Sequence, residues 1–239
     1  MDNHSTQGLY NGLTQRNSAL IAGLGLLVMV FTAPVAYFYF MSQNVIHGDI
    51  AATVNSLQSN GTPFLIGTFL LFVTYVMDVI VAWALFWYLR KDQIALSQLV
   101  AWFRLVYTAL AFVGLSSSIM AYDLAVNLST SNLFSESEIQ TMVFSHLSAA
   151  KSMESMALML FGVHLGILSI LLWRSTVVPS WLSIPVGLAG TSYIGMYLGK
   201  YFAPNVDLGW LILLALGELV LMVWLLAFGW RKKINHSLV

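Results

Sequence analysis

The run Ser155–Trp173, SMALMLFGVHLGILSILLW, holds nineteen residues with one ionisable side chain, His164, and is closed by Arg174. At about 1.5 Å of rise per helical residue it matches the roughly 30 Å hydrocarbon core of a bilayer. In lipid every backbone N–H and C=O must be satisfied within the segment, which restricts such a run to a helix. It therefore predicts a membrane span. His164 stands ten residues before Arg174, roughly 15 Å inside the membrane, where an imidazole has to face protein or water rather than lipid.

The remainder of the chain repeats this pattern. Only 8% of the residues are charged and 59% are hydrophobic, against about 25% charged in a soluble domain. A soluble fold with so few charges has no means of covering its surface. The hydropathy pattern predicts an all-α polytopic membrane protein of six transmembrane helices, at about Ala19–Phe40, Pro63–Leu89, Gln98–Tyr122, His146–Trp173, Leu182–Phe202 and Leu208–Trp230. Pro34 is expected to kink the first. IAATVNSL, between the first two, reads as a short interfacial helix, and SESEIQ as the capped start of another. Residues 1–18 form a polar segment, 19–230 a single membrane domain and 231–239 a basic tail.

Orientation follows from basic residues counted by side. Arg16, Arg90, Lys91, Arg174, Arg231, Lys232 and Lys233 fall together if six helices are drawn, while the opposite loops carry Lys151 and Lys200. Both termini are thereby expected in the cytoplasm. Lys151 and Glu154, three residues apart, are expected to pair at the outer interface. Net charge is zero and neither sign forms an extended run, so nucleic acid has no footprint here. With no cysteine, thiolate chemistry and sulfur-based zinc sites are excluded.

Several short landmarks occur in a fixed order: IHGDIAATVNSL, YVMDVIVAWALFWYL, WFRLVYTAL, FGVHLGILSILLWRS, VPSWLSIPVGLAGTSYI and LGELVLMVWLLAFGW. Together they resemble the bacterial integral-membrane family known as domain of unknown function 4386, over about residues 15–231. The resemblance implies a multi-pass bacterial membrane protein and brings no substrate, cofactor or catalytic residue with it; the expected location is the cytoplasmic membrane.

Three helices carry a titratable group to one depth. Asp78 lies twelve residues from Arg90 and Glu218 nine beyond Gly209, roughly 18 and 13 Å in from opposite faces. Burying each alone costs about 2.5–3.5 kcal/mol on insertion scales, so mutual pairing is expected. Arg104, only six residues inside its helix, is able either to reach inward to Asp78 or to snorkel to the surface. Tyr193 and Thr191 are placed to add hydroxyls, and the glycines at 187, 190, 195 and 199 serve close packing or, at 195 and 199, an oligomer seam.

The candidate site is thus Asp78, Arg104, His164, Tyr193 and Glu218. Its expected use is binding or moving a proton, ion or small amphiphile. One alternative is a non-catalytic membrane subunit or chaperone, in which the cluster only fixes helix register. The other is a metal-dependent intramembrane hydrolase, for which one histidine and two carboxylates supply ligands but no HExxH and no Ser-His-Asp spacing is present. The sequence names no cofactor or metal. Partners are membrane lipids, with a second copy or another membrane protein compatible with the glycine faces.

Overall fold

The structure is a computed structural model that describes residues 12–127, 134–203 and 205–231. Lys232, Lys233 and most of the polar amino-terminal segment lie outside these. All regular structure among the described residues is helical. Helix α1 spans Gln15–Pro34, α2 Ile50–Asn60, α3 Thr62–Leu89, α4 Ile94–Asn127, α5 Glu136–Trp173, α6 Ser183–Phe202 and α7 Gly217–Trp224.

Pro34 ends the regular winding of α1, as a residue lacking a backbone donor does. A π-helical turn, Val35–Phe40, and a 3-10 turn, Met41–Gln43, carry the helix onward. The last helix is also composite: a 3-10 stretch over Gly209–Leu216 leads into α7, and a π-helical turn, Leu225–Gly229, follows it. Five helical segments are long and apolar enough to cross a membrane: Gln15–Gln43, Thr62–Leu89, Ile94–Asn127, Glu136–Trp173 and Gly209–Gly229. Helix α6 has a span's length, 20 residues, but its glycines, serines and tyrosines keep it out of that group.

Two helices are longer than the sequence suggested. Helix α5 begins at Glu136, where Ser135 and Glu138 form a reciprocal capping box. What reads as a separate short helix at SESEIQ is its first turn. With 38 residues in α5 and 34 in α4, these helices run about 57 and 51 Å, well beyond a hydrocarbon core of about 30 Å. Their overhanging ends pack with α2 and the start of α3 around a second small core that includes Val54, Leu57, Phe64, Ala121 and Val143. Asp49 caps α2 through Ala52 N–H at 2.8 Å, and Asn44 Nδ2 donates to the carbonyls of Ser56 and Asn60. Helix α2 is therefore part of a folded cap.

At the opposite end the turns are tied together. Asp92, after α3, accepts from the hydroxyls of Ser175 and Thr176, after α5, each at 2.6 Å. Arg16 lies 5.5 Å over the ring of Trp230, and Tyr88 donates to the carbonyl of Gly229 at 3.3 Å. The starts of α1 and α4 and the ends of α3, α5 and the last helix therefore meet, gathering Arg16, Arg90, Lys91, Arg174 and Arg231. Trp102, Trp173 and Trp181 point outward, as interfacial tryptophans do.

Helices α5 and α6 touch backbone to backbone. A β-carbon on Gly162 would stand 2.7 Å from the carbonyl of Gly190, and one on Gly190 2.7 Å from the carbonyl of Gly162. Gly195 and Gly199 face Leu211 and Leu208 of the same chain, so that stripe is occupied by the final segment. Gly217 meets the Pro185 carbonyl so closely that any side chain would overlap it. This contact sets the depth of its neighbour, Glu218.

Candidate functional site

Five helices converge on one guanidinium. Arg104, on α4, turns inward and has no exposed surface. Its Nε donates to Asp78 Oδ1 on α3 at 2.9 Å, and its Nη2 lies 2.7 Å from the same oxygen. Its Nη1 donates to Glu218 Oε1 on α7 at 2.6 Å and stands 3.4 Å from His164 Nε2 on α5. Met29 Sδ, on α1, closes the ring at 3.9 Å from Nη2. Of the two arrangements open to Arg104, the inward one is found.

The imidazole is oriented from behind. His164 Nδ1 is 2.9 Å from the carbonyl of Val100, which can only accept, so Nδ1 carries the proton in that bond. The Nδ1–H tautomer leaves Nε2 as an acceptor toward Arg104. His164→Ala leaves Arg104 one acceptor short and opens a void beside Phe161. The expected loss is about 2–3 kcal/mol, seen as a lower melting temperature in maltoside micelles. An unchanged melting temperature would show that the ring bears no weight.

Tyr107 also belongs to the cluster, although nothing singled it out in the sequence. Its hydroxyl donates to Asp78 Oδ2 in a short hydrogen bond. The signal was its position three residues after Arg104, which puts both on one helical face. Phe161, three residues before His164, forms a wall: Arg104 Cζ is 5.4 Å from its ring centre, Tyr107 4.7 Å and Tyr193 5.3 Å. Tyr193 thus faces the cluster across a ring without bonding to it. Thr191 is exposed and bonds back to Gly187, outside the site.

Asp78 and His164 are fully buried, whereas the Glu218 side chain is 15% exposed. Its exposed side faces a cavity of about 280 Å³, also lined by Tyr107, Phe161, Tyr193, Tyr37, Tyr75 and Glu154. A second cavity of about 590 Å³ shares Tyr37, Tyr75 and Glu154 and continues past Lys151 to His47 and Asp49 at the capped end of the bundle. The two are neighbours, with the Tyr37 and Tyr75 hydroxyls, 3.5 Å apart, in their shared wall. Glu154 is not paired with Lys151: among the described residues the ion pairs are those of Arg104 with Asp78 and Glu218. Glu154 is instead half-buried and next to the Tyr37 hydroxyl.

No three His, Asp or Glu side chains among the described residues are placed to hold a metal ion. Arg104 occupies the point on which Asp78, His164 and Glu218 converge, and its positive charge takes the place a cation would fill.

The model of a family described as domain of unknown function, DUF4386, matches residues 21–229. The chain belongs to that family. The matched span covers every residue of the DUF4386 cluster described above. A protein of Archaeoglobus fulgidus, described as uncharacterized, is 27% identical over 159 residues, covering 66% of this chain and 81% of that one. No solved structure matches the chain.

Proposed function

We propose that this DUF4386 protein is a six-span protein of the bacterial cytoplasmic membrane whose buried polar cluster binds or moves a proton, ion or small amphiphile arriving from the outer face. One observation carries the reading. A cavity reaches Glu218, whose other side is bonded to Arg104 and, through it, to Asp78 and His164, and this cavity shares Tyr37, Tyr75 and Glu154 with the one at the capped end. A cluster serving only as a brace has no need of a carboxylate open to a cavity.

The topology is supported by connectivity. Trp173 lies at the basic end and Gly209 at the other, so α6, about 30 Å long, supplies the sixth crossing. Basic residues gather on the side that the positive-inside rule assigns to the cytoplasm. On this reading both termini are cytoplasmic.

A second reading has its own support. Each of the three guanidinium nitrogens meets an acceptor, and Asp78, Arg104 and His164 are sealed from solvent. Such a network is also what a brace for helix register looks like, as in a non-catalytic subunit or chaperone bound to other membrane proteins.

The test is proton flux in liposomes loaded with a pH-sensitive dye, comparing the wild type with Glu218→Gln and Asp78→Asn. The pathway reading expects a loss of about tenfold or more in rate with melting temperatures still measurable. Wild-type flux in both variants ends it, and variants that lose only thermal stability leave the brace.

A further inference from the structure

We propose that the cavity between Glu154 and Glu218 is a binding site for a small monovalent organic ammonium ion, with its charge against Glu218 and its apolar body among the tyrosines. This rests on the cluster being a binding site and names the chemistry of what it binds.

The walls select for charge. Two carboxylates line the cavity, Glu154 toward the mouth and Glu218 at the inner end, and no lysine, arginine or histidine does. Arg104 is adjacent but sealed, with its positive charge shared between Glu218 Oε1 and Asp78. Glu218 Oε2 has no hydrogen-bond partner among the described residues, and Glu154 has no ion pair. The Tyr193 hydroxyl, on the same wall, likewise has no hydrogen-bond partner among the described residues. An anion would meet two carboxylates, with the adjacent Arg104 already bonded to Glu218 and Asp78. A neutral molecule would leave Glu154 without an ion pair and Glu218 Oε2 without a partner in a mostly apolar space.

The walls also select between kinds of cation. Tyr37, Tyr75, Tyr107, Phe161 and Tyr193 surround the space, and ring faces attract ammonium groups through their quadrupoles. Hard inorganic cations such as calcium need six or more oxygen ligands, which these rings and two separated carboxylates do not provide. The size fits as well. About 280 Å³ is roughly nine times the 30 Å³ share of a water molecule, which suits a ligand of about ten heavy atoms. Along α5, Glu154 and Phe161 are seven residues apart, about 10 Å, so an ammonium at Glu218 has room for its body beneath Glu154.

The experiment titrates the purified full chain, in maltoside micelles, with phenyltrimethylammonium in a calorimeter. tert-Butylbenzene, the same shape without the charge, is the control. Saturable binding of one cation per chain is expected, weakened about tenfold or more by Glu218→Gln, by Glu154→Gln, or by the change to the neutral isostere. Glu154→Gln breaks no ion pair, so a fold defect at Glu218 leaves the test standing. The proposal is overturned if the isostere binds as well as the cation, if neither glutamine variant alters binding, or if no binding occurs. Proton flux without amine is read on the same preparations. Glu218-dependent flux without ammonium binding removes this inference and leaves the cluster as a proton pathway, and binding without flux supports this inference and limits the cluster to binding.

Discussion

Arg104→Met abolishes the folded bundle, and adding Asp78→Asn and Glu218→Gln to the same chain restores it. The single substitution removes the positive charge that, among the described residues, pairs with two carboxylates, one fully buried and one 15% exposed. Taking one partner from a buried pair costs about 3–5 kcal/mol, mainly because the charge left behind has no solvent, and here two are left. Removing all the charges together is a different case. Replacing a buried ionic triad by neutral groups of similar size is often neutral or stabilising, because the desolvation penalty disappears with the attraction. The expected order of melting temperature is therefore wild type near the triple variant, with the single variant far below. If the arginine variant melts with the wild type, the triad does not hold the helices together. The triple variant also separates the two functional readings. A brace that has been replaced keeps its function, while a pathway made of these groups loses it.

The second large effect is at the α5–α6 crossing. Gly190→Leu should separate these helices, at a cost of about 3 kcal/mol, near the top of the range for overpacking. A β-carbon at 190 meets the Gly162 carbonyl at 2.7 Å and the Gly166 nitrogen at 2.9 Å. Both are backbone atoms of α5 and have no rotamer by which to move aside. Gly166→Ala is the matched control. Nothing lies within 4 Å of the position its β-carbon would take, and alanine favours helix by about 1 kcal/mol over glycine. Thermal melting of the two variants should move in opposite directions. Equal melting temperatures would mean that the crossing is looser than these distances imply.

Residue counting located much of this site because apolar helices have a fixed rise. Asp78, His164 and Glu218 each stand at a countable distance from a charged helix end, and that alone put them at one depth. The direction of Arg104 was not countable: six residues from the end, its side chain reaches the surface or the interior equally well, and only the position of Asp78 on α3 decides. Tyr107 escaped notice because a tyrosine in an apolar helix is usually packing, and its importance depends on a neighbour twenty-nine residues away in sequence. The partner of Glu154 and the start of α5 were missed for different reasons. A three-residue spacing puts Lys151 and Glu154 on one helical face without deciding what each meets, and Glu154 turns to Tyr37; hydropathy marks where a helix becomes apolar, whereas α5 starts at a capping box in polar sequence. Helix α6 shows the same limit from the other side. Its glycines lower its average hydropathy while allowing a backbone-to-backbone contact with α5, the contact that makes it an integral member.

The overhang of α4 and α5 has a practical consequence for imaging. A 26.5 kDa chain enclosed in a detergent belt offers an electron microscope little to align on. Here two unbroken helices carry Arg104 and His164 at one level and emerge, with α2 packed across them, as a rigid knob clear of the micelle. An antibody fragment raised against that knob would act as a fiducial mechanically continuous with the buried charges, so that particle alignment on the fragment would also sharpen density at the centre of the membrane.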